Sequence, residues 1–148
     1  MAIAAGEPAP EFSLARAEGP PFTRADLLGA TTLLVFYPFA FSPVCTDQLG
    51  LYDELRGEFA ARGTTLYGVS CDATYSQEAF RRHLGVEIEQ LSDFEPKGAA
   101  CRAFDVLHPG GYPQRALVLV GPDGMVRWSY QAEKPSELPG ANLIFDAL

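Results

Sequence analysis

The 148-residue sequence has no apolar run long enough to span a bilayer without a charge, and its opening, Met1-Ala2-Ile3-Ala4-Ala5-Gly6-Glu7, has no basic segment ahead of an apolar one. Neither a transmembrane helix nor a secretory leader is expected, and the chain reads as cytoplasmic. Basic residues are few: 11 Lys and Arg against 19 Asp and Glu give a formal charge of −8, which argues against nucleic acid or an anionic membrane as partner. Cysteine is scarce as well. Cys45, Cys71 and Cys101 are odd in number and lie 26 and 30 residues apart, so they form neither a secreted disulfide framework nor a zinc-type pair. His83 and His108 have no partner at metal or general-base spacing. No metal or other cofactor is expected, and no repeat or low-complexity segment interrupts the chain.

What is present suits one globular domain over residues 1–148, since 47% of the residues are hydrophobic and only 20% charged. Thr31 to Phe36 (TTLLVF) is a continuous apolar, β-branched and aromatic run, the pattern of a strand buried on both faces. Leu49, Tyr52, Leu55 and Phe59 then recur at helical spacing. Between them Pro38 stops the strand, and Pro43 has the fixed φ suited to a first helical turn. Cys45 is thereby expected in or near that turn, where free N–H groups and the positive end of the helix dipole favour a thiolate.

Elsewhere, Glu11 to Ala15 alternates as a short strand, and Phe22-Thr23 can return beside it as a hairpin before a helical turn over 24–28. Thr64 to Ser70 (TTLYGVS) reads as a second buried strand. A helix follows from a cap at Ser76 to Gly85, then a short strand at 89–93 and a helix over 97–104. Gln114 to Val120 is a strongly apolar strand, Gly121 to Gly124 a tight turn, and Met125 to Tyr130 its antiparallel return, with a last helix from about Ala141. The order βαβα, then a β-hairpin and a helix, is that of an α/β, thioredoxin-like fold: a mixed sheet with helices on both faces and an N-terminal hairpin added.

Tyr37-Pro38-x-x-x-Ser42-x-x-Cys45-Thr46 resembles the active-site signature of the peroxiredoxins, the alkyl hydroperoxide reductase and thiol-specific antioxidant family. Gly6, Pro10, Phe12 and Leu14 match that family's opening pattern in register. Leu91-Ser92-Asp93-Phe94 and Gly98-Ala99-Ala100 are similar to its compact, one-cysteine alkyl hydroperoxide reductase E branch, and the chain ends without the arm that carries a resolving cysteine in the typical two-cysteine members.

The resemblance implies a thiol peroxidase acting on hydrogen peroxide and organic hydroperoxides. Cys45 would attack and become a sulfenic acid, and an external thiol or a thioredoxin- or glutaredoxin-like redoxin would restore it. Pro38, Ser42 and Arg115 are the further site residues so implied, and a homodimer is the implied assembly. From the residues alone Ser42 could equally cap the helix, Arg115 could be a surface strand residue, and Phe39, Phe41 and Tyr112 could either wall a pocket or pack in the core. Gln48 stands where many members carry Glu, and Gly50 where some carry a resolving cysteine. Two rivals remain open at this point: a thiol–disulfide oxidoreductase, since Ser42-Pro43-Val44-Cys45 has CxxC spacing with its first cysteine replaced, and a non-catalytic binding module of the same fold. Cys101 is expected to pack as a core residue, and Cys71 is the more serious candidate for a second redox thiol. Apolar surroundings are expected to make both slow to react.

Overall fold

The structure, a computed structural model, describes residues 1–148. Its centre is β3, Thr31–Phe36, whose last five residues are all buried, as a continuous apolar run requires. The strand β4 (Thr64–Ser70) lies parallel beside it, and β5 (Glu89–Ser92) lies parallel beyond β4. On the other side β6 (Ala116–Val120) pairs antiparallel with β3, and β7 (Val126–Gln131) returns antiparallel to β6. The sheet order is β5-β4-β3-β6-β7. A separate two-stranded ribbon, β1 (Ser13–Leu14) with β2 (Phe22–Thr23), forms the expected N-terminal hairpin, followed by a 3-10 turn over Arg24–Leu27.

Side chains alternate across a strand, so the sheet divides the interior into two cores. One contains Leu34, Phe36, Val69, Ala116 and Val118 under the ribbon and α4 (Ala99–Ala103), together with Cys71 and Cys101. The other contains Leu33, Val35, Tyr37, Leu117 and Leu119 beneath α1 (Pro43–Glu54), α2 (Arg56–Ala61), α3 (Thr74–Leu84) and α5 (Ala141–Ala147), and it includes Cys45. Each fully buried Leu or Phe in these cores contributes about 1.5–3 kcal/mol of transfer free energy. The mixed sheet with helices on both faces is the expected architecture.

Several element ends shift by one or two residues from the sequence expectation, and two differences have a specific physical reason. The period from Leu49 to Phe59 runs through a break: α1 ends at Leu55 (φ −96, ψ 5), which also precedes α2. Both segments turn their apolar residues to the sheet, so the period survives the interruption, and Gly57 weakens the second helix locally. The helix α3 starts at Thr74, with Ala73 and not Ser76 before it. Tertiary contacts outweigh the capping preference here: buried Gln77 donates its amide to Ser70 Oγ (2.9 Å) and to the Leu91 carbonyl (2.8 Å), fixing the first turn against the sheet.

Candidate active site

Tyr37 extends β3 by one hydrogen bond, from its N–H to the Val69 carbonyl (3.0 Å), and its buried hydroxyl donates to Gln90 Oε1 (2.6 Å). Pro38 cannot continue the ladder, and the chain leaves the sheet. The short loop that follows is held at Ala40, whose N–H donates to Asp72 Oδ2 (2.9 Å) at the end of β4. Phe41 adopts φ 70, a left-handed conformation unusual for a bulky residue, with its ring against Phe80 and His83 of α3. Ser42 precedes α1 and Pro43 is its first residue, which places Cys45 in the first turn as expected.

Ser42 does not cap the helix through its side chain. Its hydroxyl donates back to the Phe39 carbonyl (3.0 Å), bracing the loop, and the first helical bond is instead from the Thr46 N–H to the Ser42 carbonyl (2.9 Å). The Val44 and Cys45 N–H groups have no backbone acceptor.

Arg115 is not a surface residue. It is 3% exposed, and its guanidinium is held at three points: Nε donates to the Pro135 carbonyl (2.7 Å), Nη1 to Gln48 Oε1 (2.5 Å) and Nη2 to Cys45 Sγ (3.0 Å). The buried Gln48 Nε2 lies 3.4 Å from the Tyr52 hydroxyl, which donates to the Pro139 carbonyl (2.6 Å). Burial pushes the Tyr52 phenol up to about 12.

A cavity of about 280 Å³ opens beside this network, lined by Pro38, Phe39, Ser42, Tyr112, Arg115 and Pro135 among others. The rings of Phe39 and Tyr112 meet at 4.8 Å and form one wall, while Phe41 turns away onto α3, so two of the three aromatics proposed from the sequence line the pocket. Cys45 is fully buried beneath it, and Arg115 is the residue common to the cavity and the thiol. A larger cleft, about 720 Å³, lies elsewhere around Arg16, Tyr75, Glu78 and Glu89. It contains no cysteine, and an Arg16–Glu89 ion pair (2.7 Å) occupies part of it.

Sequence reasoning assigned nothing to Pro135, Pro139 or His108. The first two act through carbonyls, which any residue carries. His108 stacks behind Tyr112 at 4.3 Å between ring centres, a contact four residues away in a loop with no period to reveal it. Of the two remaining thiols, Cys101 packs as a core residue as expected, and Cys71 departs from expectation. Cys71 Sγ, Cys101 Sγ and a carboxylate oxygen of Asp93 all lie within 4.8 Å of one another. Hydrogen bonding from Cys101 lowers the Cys71 thiol from its ordinary value, against the expectation that its surroundings would raise it. Cys101 is pushed up by that same bond and by burial.

Residues 5–129 match the AhpC/TSA family. Peroxiredoxin 2 of Thermoplasma acidophilum is 32% identical over 137 residues, covering 86% of this chain and 67% of that one. A 1-Cys peroxiredoxin of Medicago truncatula is 31% identical over 110 residues, covering 67% of this chain and 50% of that one. Among solved structures, Enterococcus faecalis AhpC superposes with a TM-score of 0.85 at 25% identity, covering 99% of this chain and 90% of that one. Xanthomonas campestris Peroxiredoxin Q superposes at 0.77 with 26% identity, covering 92% and 87%. With a buried thiol in a first helical turn and a guanidinium aimed at it from the residue just before β6, the chain belongs to the AhpC/TSA family and is a peroxiredoxin, a thiol-dependent peroxidase.

Proposed function

We propose that Cys45 is the thiol that attacks peroxide in this chain, and that Arg115, Ser42 and Pro38 form the rest of its catalytic site. The observation that carries this reading is the Arg115 Nη2 to Cys45 Sγ hydrogen bond at 3.0 Å, made between two buried side chains. The Cys45 sulfur donates an electron pair to one peroxide oxygen, the O–O bond breaks, and the other oxygen leaves as water or alcohol after taking a proton; the sulfur is left as sulfenic acid. Negative charge builds on both oxygens during transfer. The Arg115 guanidinium and the unpaired Val44 and Cys45 N–H groups are donors fixed in advance for it. The Ser42 hydroxyl turns from the Phe39 carbonyl to the substrate, and Pro38 shapes the cavity wall.

The chain fits the one-cysteine, alkyl hydroperoxide reductase E type, in which an external thiol or redoxin reduces the Cys45 sulfenic acid. Cys71 and Cys101 belong to the core on the other side of the sheet from Cys45, which argues against either as its resolving partner. The Phe39–Tyr112 wall favours an organic hydroperoxide beside hydrogen peroxide as substrate. The half-exposed rings of Phe39 and Phe41 on the active-site loop favour a homodimer through that edge.

The test is stopped-flow measurement of peroxide consumption by the fully reduced protein and its Cys45→Ser variant. Rapid consumption by the wild type and none by the variant is expected, because a serine hydroxyl stays protonated at neutral pH. Appreciable activity in Cys45→Ser would remove the assignment.

A further inference from the structure

We propose that Cys71 and Cys101 are a second redox centre, a dithiol that peroxide converts to an internal disulfide without the participation of Cys45. The two residues come from different elements, Cys71 from the end of β4 and Cys101 from α4, yet their sulfurs and an Asp93 oxygen lie within 4.8 Å of one another. All three are buried, among Phe36, Val69, Leu91 and Phe104. Cys45 is in the other core, with β3 and β6 between, so this pair is separate from the peroxidase site.

A metal site would use the same three side chains, but the carboxylate is already engaged. Asp93 Oδ1 accepts the Ala100 N–H (3.0 Å) and Oδ2 the Cys101 N–H (2.8 Å), so both oxygens hold α4 in place. That leaves two sulfurs for a cation that wants about four ligands. Two thiols this close are better suited to each other. The neighbouring Cys101 lowers the Cys71 thiol from its ordinary value, which favours Cys71 as the nucleophile of the pair. Cys71 is also the one that solvent reaches, at 8% exposed against 0% for Cys101.

The chemistry closes with peroxide as the sole oxidant. The Cys71 sulfur attacks one oxygen, the O–O bond breaks, and the leaving oxygen departs as water or alcohol. Cys101 then attacks the Cys71 sulfenic sulfur, its S–H proton and the sulfenic hydroxyl leave together as water, and an S–S bond of about 2.05 Å remains. Asp93 beside Cys101 is placed to accept that proton in passing.

The experiment uses reduced, metal-free Cys45→Ser protein treated with hydrogen peroxide, then denatured, blocked with N-ethylmaleimide and mapped by peptide mass spectrometry. The expected product has lost two hydrogens and carries a Cys71–Cys101 cross-link; replacing Cys71 by Ser in the same background should leave Cys101 free. Wild-type protein given the same peroxide should show the same cross-link, so the result does not depend on one variant's folding. Four results would overturn the proposal: both thiols fully blocked at peroxide that oxidises all Cys45 in the wild type, sulfinic acid at Cys71 with Cys101 free, a cross-link from Cys45 to either thiol, or one Zn²⁺ held by the reduced pair and preventing its oxidation. Because the readout omits Cys45, it can succeed or fail separately from the assignment of the peroxidase nucleophile.

Discussion

Arg115 Nη2 lies 3.0 Å from Cys45 Sγ although 70 residues of chain separate them, and the sheet register explains the meeting. Leu117 pairs with Val35 and Leu119 with Leu33, on the face that α1 covers. Two residues before Leu117, Arg115 has the same parity and is sent to the same face. Two of its other N–H groups are taken up by Gln48 and by the Pro135 carbonyl, so the guanidinium has little freedom to turn away from the sulfur. The guanidinium is thus fixed in position before any substrate arrives, the arrangement that the proposed role of Arg115 requires.

Replacing Arg115 by Lys keeps a charge but not the planar fork that reaches three acceptors at once. Losing one such fixed donor costs about 2–4 kcal/mol of activation free energy, or roughly 30- to 1,000-fold in rate. Stopped-flow rate constants with hydrogen peroxide test this, alongside circular dichroism to show that the fold is retained. An unchanged rate constant would return Arg115 to a purely structural role.

Gln48→Leu preserves approximate volume in α1 but strips Arg115 Nη1 of its acceptor in a fully buried place. An unpaired buried donor costs about 1–3 kcal/mol, more when charged. Urea unfolding should show the loss of stability, and peroxide consumption should slow because the guanidinium is freed to shift. A variant as stable and as fast as wild type would show that Pro135 and Cys45 suffice to hold Arg115.

Much of this was legible from the chain alone. The run at 31–36 is a strand buried on both faces, a meaning that uninterrupted apolar sequence carries by itself, and the run at 64–70 is a strand as expected, though Thr65 is exposed and only its last three residues are all buried. Cys45 was placed by two prolines and by the change of period from strand to helix. Arg115 was not placed by any local pattern. A single charge at the start of an apolar strand reads as exposed until a partner on the same face is known, so its position came only from the resemblance. Backbone carbonyl acceptors such as those of Pro135 and Pro139 leave no mark in side-chain sequence. The Cys71–Asp93–Cys101 cluster was missed for a related reason: the ends of β4 and β5 and the helix α4 converge there because β5 pairs with β4, which periodicity does not encode.

Gly68 sits inside β4, where glycine normally weakens a strand, and faces Gln90 of β5 in register. A Cβ there would collide with the Gln90 side chain, which lies across the glycine to accept the Tyr37 hydroxyl. Gly68→Ala should therefore destabilise by about 1–3 kcal/mol, the usual cost of overpacking, despite alanine's lower backbone entropy. Thermal or urea unfolding decides it. A stabilised Gly68→Ala protein would show that Gln90 can move aside without loss.

Tyr52 links the site's hydrogen-bond network to stability at high pH. Its phenol is fully buried, donates to the Pro139 carbonyl, and titrates at about 12 in the folded protein, while an unfolded tyrosine releases its proton near 10. The folded-state value is raised, so the associated stability is fully present below about pH 10 and falls as pH rises towards 12, where the unfolded chain binds fewer protons. At pH 11 the loss from this one group amounts to about 1.4 kcal/mol, one pH unit above the unfolded value. Tyr52→Phe removes the hydroxyl and should cost about 1 kcal/mol at pH 8, the net worth of its hydrogen bond. The variant has no proton to lose at this position, whereas Tyr37, also raised by burial, is present in both proteins and cancels in the comparison. The stability difference between wild type and Tyr52→Phe should accordingly shrink as pH rises, vanish between about pH 10 and 11, and reverse by roughly 0.4 kcal/mol at pH 11. Urea denaturation of both proteins at pH 8, 9, 10 and 11 provides the measurement, and a difference that stays constant across that series would show that Tyr52 titrates alike in folded and unfolded chains.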